Sequence, residues 1–201
     1  MGCVPRPTAN DQTHACQALP MLTDIQVRKL TKLFNLYDAN HDGILVQQDF
    51  IALATRLATL REELQASSQH TQILAHLQQD WQCLCEAADQ DNDAQITLDE
   101  WLTYYGQVLD DMKQYANRVI ALVTLLFDAC DQNNDGQINE QEWISLLSVF
   151  NVLPIYASSI FLNLDVNQDG VLNQDEVLTL IHDFFYLNEP SVPANFMFGP
   201  Y

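Results

Sequence analysis

Residues 131–142 have the sequence DQNNDGQINEQE, and residues 165–176 have the sequence DVNQDGVLNQDE. In both stretches, positions 1, 3, 5 and 12 carry side-chain oxygens and position 6 is glycine. A calcium ion held by a twelve-residue loop takes its ligands at positions 1, 3, 5, 7, 9 and 12, with a sharp turn at position 6. The two stretches therefore predict a pair of calcium-binding loops.

Two earlier stretches keep the same register: DANHDGILVQQD at 38–49 and DQDNDAQITLDE at 89–100. We number the four loops in chain order, and in each we expect side-chain ligands at positions 1, 3, 5 and 12 and a backbone carbonyl ligand at position 7. These residues are Asp38, Asn40, Asp42, Ile44 and Asp49 in loop 1, Asp89, Asp91, Asp93, Gln95 and Glu100 in loop 2, Asp131, Asn133, Asp135, Gln137 and Glu142 in loop 3, and Asp165, Asn167, Asp169, Val171 and Glu176 in loop 4. Position 9 can hold a water molecule in each loop.

Two apolar patterns accompany the loops. Position 8, whose backbone joins paired loops by a short antiparallel bridge, is Leu45, Ile96, Ile138 or Leu172. The residues four and five before each loop form an apolar stripe on the entering helix: Leu33 and Phe34, Leu84 and Cys85, Leu126 and Phe127, and Ile160 and Phe161. Asp- and Asn-rich stretches can also be solvated turns. Four of them in register, each with these apolar positions, favour metal binding instead.

The repeat predicts an all-α fold of four helix-loop-helix units in two paired lobes, packed into one compact body. Helices are expected at 22–37, 47–64, 70–88, 98–110, 113–130, 140–149, 155–164 and 174–186. We expect a mobile tail at 1–20, a first pair of units at 21–110 and a second pair with a C-terminal tail at 111–201, with a joint at 106–111.

Composition excludes several classes of function. The net charge is −19 with only 8 Lys and Arg, which argues against nucleic acid as a partner. Five cysteines without CxxC spacing suggest reduced thiols in a cytoplasmic protein. Neither a signal peptide nor a membrane span is expected.

We expect a monomer whose partners are calcium ions, with no protein partner indicated. We expect no enzymatic activity, because no nucleophile, base and orienting group come together in the sequence.

The loops resemble EF hands. The long gap between loops 1 and 2, the aspartate that closes loop 1 and the C-terminal sequence FMFGPY at 196–201 resemble the sarcoplasmic calcium-binding proteins and their bacterial relative calerythrin, over about residues 21–201. The resemblance implies two lobes packed face to face and a role in buffering calcium and magnesium. Loop 2 is often disabled in that family, whereas here it keeps its acidic residues.

Ligand chemistry ranks the four loops. Asp49 is one methylene shorter than glutamate, which suits the smaller magnesium ion, so the loop at 38–49 is the candidate for a mixed site. Ala94 replaces glycine at position 6 of loop 2 and must adopt a left-handed conformation, at a cost of about 1–2 kcal/mol. We expect loops 3 and 4 to bind most tightly, followed by loop 1 and then loop 2.

Three roles remain to be separated. A calcium sensor opens a methionine-rich groove to a partner, but none of the four methionines lies in a helix stripe, which favours a buffer. A photoprotein-like protein that binds a luciferin between its lobes is a third role, by analogy of fold alone. Photoproteins hold the ligand with His, Trp and Tyr side chains, and the candidate contact here is His182, near Phe184, Phe185 and Tyr186 but with no tryptophan nearby.

Overall fold

The computed structural model describes residues 22–38, 40–60 and 68–199. Its α-helices are α1 (Asp24–Tyr37), α2 (Gln47–Leu57), α3 (Ser68–Ala88), α4 (Leu98–Asp110), α5 (Met112–Tyr115), α6 (Ala121–Cys130), α7 (Glu140–Val149), α8 (Pro154–Leu164) and α9 (Gln174–Tyr186). Short 3₁₀ turns cover Ala58–Leu60 and Pro193–Phe196. The predicted all-α fold is confirmed. The helix predicted at 47–64 ends earlier, at Leu57, where the chain tightens into the 3₁₀ turn, and residues 61–64 of that prediction lie outside the described residues. The predicted tail at 1–20 also lies outside them.

Short strands join the loops in pairs. Strand β1 (Ile44–Leu45) pairs antiparallel with β2 (Ile96–Thr97), and β3 (Gln137–Asn139) pairs antiparallel with β4 (Val171–Asn173). The position 8 residues face each other, Leu45 opposite Ile96 and Ile138 opposite Leu172. All four are buried, so each bridge fixes a loop pair while its side chains seal the core beneath. We call the units on β1–β2 the first lobe and those on β3–β4 the second lobe.

The chain between the lobes is almost entirely helical. Helix α4 continues through Gly106 to Asp110, so the joint is shorter than the predicted segment 106–111. Asp111 then starts the next helix, because its carboxylate accepts hydrogen bonds from the backbone N–H groups of Lys113 and Gln114. The division of the chain into two units at residue 110 remains a prediction.

A single helix is predicted at 113–130, but this segment contains a π-helical turn at Ala116–Ile120 between α5 and α6. A π turn adds one residue to a helical turn and is rare in proteins. Here it carries Arg118, whose guanidinium contacts Asp80 of α3 at 3.3 Å. His76, one turn before Asp80 on α3, lies 3.4 Å from the same carboxylate. Burial raises the pKa of Asp80 to about 6, although His76 and Arg118 oppose the shift.

The lobes pack into one body around a shared core. Tyr105 of the first lobe stacks on Phe185 of the second, with ring centroids 6.1 Å apart. Lys29 of α1 is 1% exposed, and its ammonium donates a 2.8 Å hydrogen bond to the carbonyl of Leu187, just past the end of α9. Burial lowers the pKa of Lys29 to about 8, against the opposing effect of Asp183. The apolar faces of both lobes are therefore turned toward each other.

Candidate metal centres

The aspartate at position 1 organises each loop. In loop 3, Asp131 accepts hydrogen bonds from the backbone N–H groups of Asp135 at 3.1 Å and Gly136 at 2.8 Å. Asp38, Asp89 and Asp165 accept the equivalent pairs of bonds in loops 1, 2 and 4. These bonds curl each loop around its first carboxylate.

Positions 3 and 5 lie side by side. The Asn133 amide donates to Asp135 at 2.8 Å, and the Asp135 carboxylate also accepts from the backbone N–H of Gln137 at 2.9 Å. Loops 1 and 4 have the same pairs, Asn40 with Asp42 and Asn167 with Asp169. In loop 2, the carboxylates of Asp89, Asp91 and Asp93 offer oxygens that all lie within 4.8 Å of one another. Each loop thus brings side-chain oxygens together as a hard cation requires.

The carboxylate at position 12 is held over the loop by a capping box. Asn139 is the N-cap of α7, and its backbone N–H donates to Glu142 at 3.0 Å while its side chain accepts from the Glu142 N–H. Thr97 with Glu100 and Asn173 with Glu176 form the same arrangement at α4 and α9. Since a capping box turns the carboxylate at N3 back toward the start of the helix, starting the exit helix also positions the last ligand.

The second oxygen of the closing glutamate reaches across the loop. Glu142 accepts from the backbone N–H of Gln132 at 2.9 Å, and Glu100 accepts from Gln90 at 3.2 Å. In loop 1, Asp49 accepts from the backbone N–H of Val46 at 2.9 Å. Burial, with Asp38 and Asp42 nearby, raises the pKa of Asp49 despite this bond. The Thr97 bonds lower the pKa of Glu100.

Two positions in every loop have a positive φ. At position 6, φ is +83° for Gly43, +79° for Gly136 and +85° for Gly170, and Ala94 adopts +59° as predicted. Position 4 is also left-handed in all four loops, with His41, Asn92, Asn134 and Gln168 between +57° and +60°. Asparagine and histidine tolerate this conformation better than glutamine, so the position 4 residue of loop 4, Gln168, carries additional strain.

Burial differs among the loops. Asp38, Asp49, Asp131, Glu142 and Asp165 are all less than 9% exposed. Positions 3 and 5 are exposed in all four loops, but in loop 2 the position 1 residue Asp89 is only half-buried. A site open to water exerts a weaker field on a cation than a buried one, which adds to the conformational cost at Ala94.

All twenty predicted ligand residues lie in the four loops, and the side chains at positions 1, 3, 5 and 12 make the contacts just described. The coordination of an ion by these residues, including the carbonyls at position 7, stays a prediction. Sequence reasoning missed the N-cap role of position 9 and the left-handed position 4. The first could have been found, because Thr97 and Asn139 stand three residues before a glutamate at the start of a helix.

Aromatic residues follow loops 2 and 3 directly. Trp101 and Trp143 are 1% and 2% exposed, so both are packed in the core. The Trp101 indole N–H donates to the Leu30 carbonyl at 3.0 Å. Each indole therefore lies one residue after a closing glutamate, in a packed environment.

A small cavity lies in the core where the lobes meet. Its volume is about 70 Å³, and its lining is almost entirely apolar, with Tyr105, Phe185 and Phe198 among the residues around it. Pockets that hold a drug-sized ligand measure about 300–1,000 Å³. His182 does not line this cavity. Its ring lies against Tyr186, 4.9 Å away, and the side chain is 52% exposed.

Comparison with known sequences supports the resemblance. The family model "EF hand" matches residues 122–147. The sarcoplasmic calcium-binding proteins II, V, VI and VII of Branchiostoma lanceolatum are 26% identical over 97 residues, which cover 48% of this chain and 52% of theirs. The matched region thus spans about half the length of that curated relative.

Comparison with solved structures supports the fold. The amphioxus sarcoplasmic calcium-binding protein superimposes with a TM-score of 0.69 at 19% identity, covering 90% of this chain and 100% of its own. The calcium-loaded apo form of the coelenterazine-binding protein from Renilla muelleri gives a TM-score of 0.64 at 22% identity, with the same coverage. With the sequence matches, these structures confirm the resemblance to EF-hand proteins of the sarcoplasmic calcium-binding type. None of the described helices is long and apolar enough to cross a membrane.

Proposed function

We propose that this chain, an EF-hand protein related to the sarcoplasmic calcium-binding proteins, binds calcium in its four loops and acts as a calcium and magnesium buffer in the cytoplasm. The observation that carries the proposal is the shared hydrogen-bond frame of the four loops, in which the carboxylates at positions 1 and 12 are held by backbone N–H groups. The frame directs side-chain oxygens to a common point. Proteins with EF hands act by binding calcium, and we propose no catalytic activity.

The packing of the lobes supports a buffer over a sensor. A sensor must offer an apolar groove to its partner when calcium binds. Here the apolar stripes of the paired helices are buried in one core shared by both lobes. A partner helix could reach them only by separating Tyr105 from Phe185 and Lys29 from Leu187. We therefore propose that calcium is bound without opening the core and that the protein is a monomer.

The luciferin-binding role has less support. The similarity of fold to a coelenterazine-binding protein favours it. Against it, the cavity between the lobes has a volume of about 70 Å³, and His182, the proposed contact, lies outside the cavity lining. Such a ligand would require the volume of this cavity to increase severalfold.

Calorimetric titration of the metal-free protein with calcium tests the proposal. We expect several tight sites whose apparent affinity falls in millimolar magnesium, because buffer sites bind both ions. An apolar dye that fluoresces on exposed hydrophobic surface should respond little to calcium. Micromolar sites indifferent to magnesium, together with a calcium-dependent rise in dye binding, would instead identify a sensor. A titration in which neither the heat nor the tryptophan fluorescence changes would refute calcium binding itself.

A further inference from the structure

An open groove lies on the surface between α1 and the start of α8, away from the cavity in the core. Its volume is about 490 Å³, within the range of small-molecule sites. Apolar side chains form most of its wall, and they include Leu36, Phe150, Leu153, Tyr156 and Phe198. Leu153 and Tyr156 remain 60% and 55% exposed. Large apolar side chains grouped in this way at a surface mark a binding site more often than single ones do.

The charge in this groove is the reverse of that on the rest of the molecule. The chain contains 27 Asp and Glu and carries a net charge of −19, yet none of the described residues that line the groove is acidic. The wall instead includes Lys32 of α1, with His41 of loop 1 as a further nitrogen group. The groove is thus a cationic and apolar patch on an acidic protein.

The ammonium of Lys32 lies in the groove without an acidic partner among the described residues. Burial lowers its pKa, and no carboxylate in the described parts of the chain opposes the shift. The ammonium lies beside the backbone of Gly199, where an added Cβ would be 3.4 Å from Nζ. By comparison, Arg118 is paired with Asp80, and Lys29 donates to a carbonyl. A half-buried cation without a counter-charge gains free energy when an anion binds beside it.

We propose that this groove binds a single-chain aliphatic carboxylate, with the carboxylate on Lys32 and the alkyl chain across Leu153, Tyr156 and Phe198. The apolar wall accounts for the alkyl chain. The single lysine accounts for a head group of one negative charge, because a doubly charged phosphate would meet stronger repulsion from the acidic surface. None of the predicted metal ligands lines the groove, although His41 stands between two of them in loop 1. The proposal does not depend on the role of the protein as a buffer.

Decanoate is the probe for a first test, titrated by calorimetry into full-length protein loaded with stoichiometric calcium. We expect one site, and we expect Lys32→Met to weaken it roughly tenfold, as for the loss of a charged hydrogen bond. The matched control is Lys113→Met, which removes an exposed lysine outside the groove and should leave the affinity unchanged. Melting curves of both variants check the fold.

Two further measurements separate the groove from nonspecific binding. Replacing Leu153 and Tyr156 by serine should also weaken decanoate binding, and both side chains are exposed enough for the fold to survive. Decyltrimethylammonium has an alkyl chain of similar length and the opposite charge. Its binding should not be weakened by Lys32→Met. Equal decanoate affinity in wild type and Lys32→Met would overturn the proposal. Decanoate binding that appears only after removal of residues 200–201 would also overturn the proposal. In that case the occupant of the groove would be the end of this chain and not an external carboxylate.

Discussion

Replacement of Ala94 by glycine should strengthen loop 2. Ala94 has a φ of +59° and donates its N–H to Asp89 at 3.1 Å, so its left-handed conformation is part of the loop frame. That conformation costs an L-residue about 1–2 kcal/mol, which glycine avoids. Glycine loses more conformational entropy than alanine when the loop becomes ordered, and this loss cancels about 0.5–1 kcal/mol of the gain. The net gain of about 1 kcal/mol corresponds to calcium binding that is roughly fivefold tighter at loop 2.

The matched control is Gly136→Ala in loop 3. A Cβ at Gly136 would meet nothing within 4 Å, so the substitution changes only the backbone energy at a φ of +79°. Calcium binding at loop 3 should weaken by about the amount that loop 2 gains. Both variants therefore measure the free-energy cost of a left-handed alanine at position 6. Ala94→Gly removes this cost from loop 2, and Gly136→Ala introduces it into loop 3.

Tryptophan fluorescence can follow each loop separately. Trp101 directly follows Glu100, and Trp143 directly follows Glu142, so each indole reports on its own loop. The third tryptophan, Trp81, packs against Phe50 with ring centroids 5.3 Å apart, so it is removed from both backgrounds. Calcium titrations of Ala94→Gly should be run in a Trp81→Phe, Trp143→Phe background and those of Gly136→Ala in a Trp81→Phe, Trp101→Phe background, each against its parent. If Ala94→Gly leaves the affinity unchanged or lowers it while Gly136→Ala weakens loop 3, the strain assigned to Ala94 is wrong.

Three other predictions address the ranking of the loops, ion selectivity and pH. In calorimetry, Glu142→Gln should lose more calcium affinity than Glu100→Gln, and the reverse order would contradict the ranking of the loops. Asp49→Glu should favour calcium over magnesium at loop 1, because glutamate reaches an ion with both oxygens; unchanged competition by magnesium would refute this. The folded-state pKa of Asp80, about 6, lies above the usual aspartate value of 3.8. Protonated Asp80 therefore stabilises the fold, and this contribution is lost as the pH rises through 6. In denaturant unfolding, wild type should lose about 2–3 kcal/mol relative to Asp80→Asn between pH 4 and pH 7; a pH-independent difference would contradict the shift.

Much of this architecture could be predicted from local sequence. The helices at 98–110, 140–149 and 174–186 have the predicted bounds, because a capping residue starts each of them and the loop spacing is fixed by the ion. The pairing of Leu45 with Ile96 likewise follows from the position 8 pattern. These features depend on residues within one twelve-residue repeat, so a single chain is enough to reveal them.

Features that depend on distant contacts could not be predicted. The left-handed conformation of Gln168 is set by the closed shape of the loop, since glutamine does not prefer a positive φ. The burial of Lys29 depends on a carbonyl of Leu187, which is distant in the sequence. The π turn at Ala116–Ile120 carries Arg118, whose partner Asp80 lies 38 positions earlier in the chain. In each case tertiary packing outweighs the local preference.

The π turn also sets the rotational phase between the lobes. One residue of an α-helix corresponds to about 100° of rotation and 1.5 Å of rise, so deleting a residue from Ala116–Ile120 would turn everything before it relative to α6. Tyr115, now 6.0 Å from Phe185 and 5.1 Å from Tyr186, would leave both rings. The four loops would keep every one of their own residues. The single extra residue of the π turn thus fixes how one lobe is rotated relative to the other. Gain or loss of such a residue in related sequences would change the relative orientation of the lobes and leave the calcium-binding loops the same.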